Sequence, residues 1–148
     1  MKAGDRSDRG VVLIVEDDED SRFVYSAILE DNGFSVTTAT SGDDGLRLAR
    51  ERHPQAILMD VSIPGMDGWS VTAHLKNDPA TAGIPLIIIT AHAFPEDVRR
   101  AEKVGCDAFL TKPCEPRQVL QEVVRLLEAS NGDRREVPKA GGSEGAAG

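Results

Sequence analysis

Acidic residues stand where apolar runs stop. "VVLIVE" (11–16) runs into Glu16, Asp17 and Asp18, and "QAILMD" (55–60) ends on Asp60. Two other apolar runs end on different chemistry: "IPLIIIT" (84–90) on the hydroxyl of Thr90, and "DAFLTK" (107–112) on the ammonium of Lys112. One acid at the end of a strand is ordinarily a solvated turn residue. Gathered in one cleft, these acids repel one another and require positive charge nearby. Lys112 supplies one charge, and a hard divalent cation supplies the rest. Carboxylates, a carbonyl and water in an octahedral arrangement are what Mg²⁺ prefers. A carboxylate beside Mg²⁺, with an ammonium and a hydroxyl aimed at the same point, suits phosphoryl transfer onto the carboxylate. Asp60 is then the nucleophile and forms an aspartyl phosphate. Lys112, Thr90 and the backbone N–H of Ala91 are placed to neutralise the charge on the transferring group.

Those side chains meet only if the apolar runs are neighbouring strands with their ends together. "FSVTTA" (34–39) adds a fifth run, more polar and placed at an edge. Helical patterns lie between the runs. Residues 19–32 carry Phe23, Val24, Ala27 and Ile28 on one stripe and stop at Gly33. Residues 42–52 offer Leu46 and Ala49, and 68–77 offer Val71 and Leu75. Residues 95–105 open on Pro95, Glu96 and Asp97 and stop at Gly105. Residues 115–130 offer Val119, Leu120, Val123, Val124 and Leu127. The order βαβαβαβαβα implies an α/β fold, a doubly wound five-stranded parallel sheet flanked by five helices with right-handed crossovers. Continuous apolar strands fit a sheet covered on both sides. Ligands of such sheets bind outside the carboxyl ends of the strands, where the acids lie.

The 148 residues favour one domain with a core large enough to need no staples. A net charge of −8 argues against nucleic acid and against anionic membranes as partners. Cys106 and Cys114 form no metal-ligating pattern and read as reduced cysteines of the cytosol. The first ten residues lack the apolar core of a signal peptide, and no apolar run approaches the length of a membrane span, so a cytoplasmic location is expected. Residues 1–9 read as a flexible N-terminus, 10–130 as the domain and 131–148 as a disordered tail rich in glycine.

The segments "VLIVEDDEDSR", "ILMDVSIPGMDG", "IIIT" and "FLTKP", in this order and spacing, resemble a response-regulator receiver domain of two-component signalling. The resemblance covers residues ~10–130, nearly the whole chain outside the two ends. It implies a flavodoxin-like sheet with strand order 2-1-3-4-5 and Asp60 as phosphoacceptor. It implies Glu16 and Asp17 as acidic Mg²⁺ ligands, with Asp60 and the backbone carbonyl of Ser62 completing the protein's share. Thr90 falls at the switch hydroxyl, Lys112 at the family's lysine and Phe109 at the switch aromatic. The implied donor is a sensor histidine kinase or a histidine phosphotransfer protein, and the implied output is a downstream protein or a relay step. Self-catalysed phosphorylation and dephosphorylation are the only chemistry expected. Within "EDDED", Glu16 and Asp17 directly follow the apolar strand, while Asp18 fits a helix N-cap with Ser21 three residues on. The Pro64-Gly65 turn bends the chain sharply after Asp60, and Gly68 starts the next helix.

Two other readings share part of this pattern. A haloacid-dehalogenase-like phosphatase also uses an Asp nucleophile, Mg²⁺, a hydroxyl and a Lys. It wants an acid two residues after the nucleophile, where this chain has Ser62, and a nucleophile after the first strand. A flavodoxin-type flavin module needs a hydroxyl- and glycine-rich phosphate loop where this chain has "EDDED". His74 sits in a segment like a phosphorylatable histidine box, yet on a short helix of an α/β unit, and is given no phosphohistidine role. His53 reads as solvated, His92 as a residue at the cleft mouth, and Trp69 as packing.

Overall fold

The computed structural model of the chain describes residues 9–91 and 93–136, with 131–136 described by their backbone alone. Five strands, β1 (Val11–Val15), β2 (Ser35–Ala39), β3 (Ala56–Asp60), β4 (Leu86–Thr90) and β5 (Ala108–Thr111), form one sheet in the order β2-β1-β3-β4-β5. Every pairing is parallel. The helices between and after them are α1 (Glu19–Asp31), α2 (Gly42–Arg52), α3 (Gly68–Lys76), α4 (Pro95–Val104) and α5 (Pro116–Glu136). The expected fold class, strand order and edge position of β2 are therefore observed.

Side chains alternate across the sheet, as a two-residue period requires. Leu13, Val15, Ile57, Met59, Leu86 and Ile88 face one core, which α2, α3 and α4 close with Leu46, Ala49, Val71, Leu75 and Ala101. Val12, Ile14, Ala56, Leu58, Ile87 and Ile89 face a second core, closed by Tyr25 and Leu29 of α1 and Val119 and Val123 of α5. Apolar burial on both faces explains the nearly unbroken apolar strands. The carboxyl ends of β1, β3, β4 and β5 consequently open at one edge of the molecule.

Two helices depart from expectation. On α1, Phe23 and Val24 are exposed, 73% and 39%, and Tyr25 and Leu29 take the core instead. Ile28 packs at the margin of the same core. Two apolar sets lie at helical spacing on this helix, and the set containing Tyr25 and Leu29 joins the core with Val12 and Ile14 of β1 and Val119 and Val123 of α5. The last helix runs to Glu136, six residues past its expected end. A lone glycine inside a helix costs only about 1 kcal/mol, so Gly132 is no stop by itself. Expectations for residues 1–8, for 137–148 and for His92 lie outside the described residues. Among the described residues no helix is long and apolar enough to cross a membrane.

Candidate functional site

Asp60 is the last residue of β3, paired in register with Ile89 on β4. It is 5% exposed, and Glu16, immediately after β1, is 1% exposed. Two carboxylates this deep need compensation, and Lys112 provides it from the end of β5. Its Nζ lies 2.8 Å from Glu16 Oε1 and 3.5 Å from Asp60 Oδ2. The backbone N–H of Lys112 donates to the Thr90 carbonyl at 2.8 Å, which carries the β4–β5 ladder one step further and holds the ammonium over the cleft. The peptide bond from Lys112 to Pro113 is cis.

The other contacts restrain the acids from below. Asp60 Oδ1 accepts from the backbone N–H of Ser62 at 3.2 Å. Glu16 Oε2 accepts from the backbone N–H of Asp18 at 3.1 Å. Asp18 caps α1 as expected, with its Oδ2 accepting from the Ser21 N–H at 2.9 Å and the Ser21 hydroxyl at 2.7 Å. Asp17 is left exposed at the mouth. One carboxylate oxygen each from Glu16, Asp17 and Asp60 lies within 4.8 Å of the others. Three hard oxygen donors converging this closely fit a divalent cation of the Mg²⁺ class.

The charge state of the cleft follows from its burial. Desolvation raises the Asp60 carboxyl to about 7, assisted by the hydrogen bond and charge of Glu16, and Lys112 only partly offsets this. Desolvation works to lower the Lys112 ammonium, but the hydrogen bond to Glu16 and the two carboxylate charges outweigh it, and the net shift is upward. The cleft thus holds one firm cation and one carboxyl whose charged form its surroundings disfavour.

Thr90 is fully buried at the end of β4. It lies in register with Thr111, while Phe109 is paired with Ile88 two residues earlier. Thr90 and Phe109 therefore share one face of the sheet, the face of the core that Phe109 packs against. Ser62 is exposed just beyond Asp60. The loop after β3 brings α3 hard against the cleft. Gly68 donates its N–H to the Val61 carbonyl at 3.1 Å, and a Cβ there would stand 2.4 Å from the Asp60 carbonyl oxygen. The cleft so gathers Glu16, Asp17, Asp60, Thr90, Lys112 and Ser62 at one edge, with Phe109 two register positions below Thr111 on β5.

Trp69 is buried, with the Arg100 guanidinium 4.9 Å from its ring centroid. His74 and His53 are exposed, and His53 caps α2 with φ of 47°. Cys106 and Cys114 are free thiols. One residue at the cleft was missed by the sequence reading. Arg22 on α1 donates from Nη1 to the Glu16 carbonyl at 3.0 Å. Nothing in the pattern separates it from a solvated helix arginine, because its partner is a backbone atom.

The family model for the response regulator receiver domain matches residues 12–124. The polar-differentiation response regulator DivK of Brucella ovis is 37% identical over 116 residues, 78% of this chain and 94% of that protein. Among solved structures, the signal receiver domain of a signal transduction histidine kinase from Syntrophus aciditrophicus superposes with a TM-score of 0.76 at 35% identity, covering 81% of this chain and 91% of that one. The receiver domain of the sensor histidine kinase PA1611 from Pseudomonas aeruginosa has a TM-score of 0.74 at 28% identity, covers 80% and 98% of the two chains, and holds a magnesium ion coordinated in its active site cleft. No comparison supports the phosphatase alternative.

Proposed function

Because the chain belongs to the response regulator receiver domain family, we propose that it takes a phosphoryl group from a phosphohistidine onto Asp60 and passes the signal on by protein contact or phosphorelay. Receiver domains are typically non-catalytic signalling domains that interact with histidine kinases or phosphotransfer proteins and with downstream targets. The observation that carries the reading is the buried Asp60 carboxylate between Lys112 at 3.5 Å and the oxygens of Glu16 and Asp17.

Asp60 attacks phosphorus with a carboxylate oxygen. The phosphorus–nitrogen bond of the donor breaks, and its electron pair leaves with the imidazole. Lys112 faces the negative charge on the oxygens of the transferring phosphoryl group, and Thr90 and the Ala91 N–H serve the same group from the end of β4. Glu16, Asp17, Asp60 and the Ser62 carbonyl would hold a Mg²⁺ ion, which would supply positive charge to the transferring group and favour the ionised form of Asp60. Glu16 is already committed at both oxygens, to Lys112 and to the Asp18 N–H. It therefore shapes the cleft and holds Lys112 in addition to any ligation. Hydrolysis of the acyl phosphate by water returns the domain to its starting state.

The surface beside the cleft supports a helical donor. A cavity of about 460 Å³ is lined by Val24, Tyr25, Ala91, Lys112, Pro113 and Cys114, and Phe23 stands exposed on the same helix as Val24. An apolar helix face seated there would bring its phosphohistidine to Lys112. In this reading residues 10–130 are the signalling unit, and free thiols at Cys106 and Cys114 suit the cytoplasm. Incubation with acetyl phosphate and Mg²⁺ tests the proposal. One hydroxylamine-labile phosphoryl group per chain is expected, absent from Asp60→Asn. Undiminished labelling of that variant would move the acceptor elsewhere, and steady release of phosphate would make the protein a phosphatase.

A further inference from the structure

We propose that Arg22 is a positioning residue for the cation site, its guanidinium holding the Glu16 carbonyl that precedes Asp17 and so aiming the Asp17 carboxylate at the ion. The proposal rests on reading the cleft as a Mg²⁺-dependent phosphoacceptor, and gives a role to the last residue of the segment "VLIVEDDEDSR", to which the sequence assigned none.

Arg22 lies in the first turn of α1 and reaches back toward β1. Its Nη1 donates to the Glu16 carbonyl at 3.0 Å. Its backbone N–H donates to the Asp18 carbonyl, also at 3.0 Å. That second bond is the first backbone bond of the helix, which any residue at 22 makes, so the helix fixes the chain after Asp17 and the guanidinium fixes the carbonyl before it. β1 ends at Val15, and the sheet reaches past it only through the Glu16 N–H, which donates to the Ala39 carbonyl at 2.9 Å. Beyond that bond, the direction of Asp17 is set by the planar peptide that joins it to Glu16. Fixing the carbonyl of this peptide fixes the plane from which the Asp17 Cα departs.

Glu16 and Asp60 have other restraints on their carboxylates, from Lys112, the Asp18 N–H and the Ser62 N–H. Asp17 is exposed, and its carboxylate oxygen must still fall within 4.8 Å of the other two. Mg²⁺ tolerates little departure from octahedral geometry, so a loosened Asp17 shows directly in affinity. A planar guanidinium suits the task better than an ammonium, because its fork fixes direction as well as distance.

The sign of the effect separates positioning from charge. Removing a cation near a Mg²⁺ site would tighten binding if Arg22 acted by its charge alone. Removing an anchor weakens it. Calorimetric titration of the full chain with Mg²⁺ decides. Arg22→Met is expected to bind Mg²⁺ about tenfold more weakly, the usual loss when a supporting contact behind a ligand is removed. Arg22→Lys, which keeps the charge, is expected to fall between Met and wild type. Phosphorylation by acetyl phosphate should return to near the wild-type rate at saturating Mg²⁺ for both.

Lys76→Met serves as control. Lys76 pins the opposite end of the sheet through the Ala82 and Ile84 carbonyls and Asp107, so its loss should lower thermal stability with Mg²⁺ affinity kept. Arg22→Met binding Mg²⁺ as tightly as wild type, or more tightly, overturns the positioning role alone. So does an equal weakening in Lys76→Met. A wild-type chain that binds no Mg²⁺ and takes no label on Asp60 overturns the underlying reading as well.

Discussion

Asp60 is held in a charge state that its environment only half supports. Its carboxyl is raised to about 7, chiefly by desolvation and then by Glu16. An acid whose folded value lies above its unfolded one keeps a proton in the native state that the unfolded chain has already released. Stability of the Mg²⁺-free protein therefore falls as pH rises from about 4 through about 7. Asp60→Asn removes this liability. At pH 8 without Mg²⁺, urea unfolding should show it more stable than wild type by on the order of 2 kcal/mol, with the gain shrinking toward zero near pH 4. A constant difference across that range would mean that Asp60 does not titrate there. The same linkage makes Mg²⁺ compete with the proton, so affinity for the ion should rise between pH 6 and 8. Glu16, Asp60 and Lys112 were legible in the sequence because each ends an apolar run, and parallel strands must present such ends at one edge. Arg22 was not, because it acts on the Glu16 carbonyl and leaves no partner residue type to search for.

The elements place these residues by close approach as much as by pairing. Gly68 opens α3 directly behind Asp60, and a Cβ there would meet the Asp60 carbonyl oxygen at 2.4 Å and the Val61 Cα at 2.5 Å. Both obstacles are backbone and cannot turn aside. Gly68→Ala should cost about 1–3 kcal/mol in urea unfolding, the range for overpacking. Because the displaced atoms belong to Asp60 itself, the variant should also phosphorylate more slowly at saturating Mg²⁺. Stability and rate both unchanged would show that α3 is free to retreat. Gly68 was readable as a helix start, but its contact with the acceptor was not, since glycine signals a turn and a tight approach alike. The core face of α1 was misread for a related reason. Phe23 and Val24 on one side, and Tyr25 and Leu29 on another, both satisfy helical spacing. Only the surface that β1 and α5 offer chooses between them, and that is tertiary information. The pair left outside became the apolar surface beside the cleft.

At the scale of the molecule the sheet separates two cores, and Thr90 and Phe109, the pair proposed as the switch, sit on one side of it. Thr90 and Phe109 face the core closed by α2, α3 and α4. Of these helices α4 is the least anchored: Ala101 is its buried residue, while Phe94 at its start and Val98 within it are exposed, 59% and 39%. A phosphoryl group on Asp60 adds a dianion with strong acceptor oxygens near the Thr90 hydroxyl. In the proposed switch, movement of that hydroxyl toward the new charge would vacate space beside β5, and the half-buried Phe109 ring would turn inward to fill it. A local charge change would thereby become a change in the apolar surface of α4, β5 and α5, through packing with two arrangements about a few kcal/mol apart. Beryllofluoride, a mimic of the phosphoryl group, should alter amide exchange across residues 93–110 in the wild-type chain. Thr90→Ala should still be phosphorylated on Asp60 but lose most of that change, and Phe109→Ala should uncouple the two in the same way. Wild-type exchange that stays the same with and without beryllofluoride would place the output surface on another face, and the exposed Phe23 and Val24 of α1 would be the first to examine.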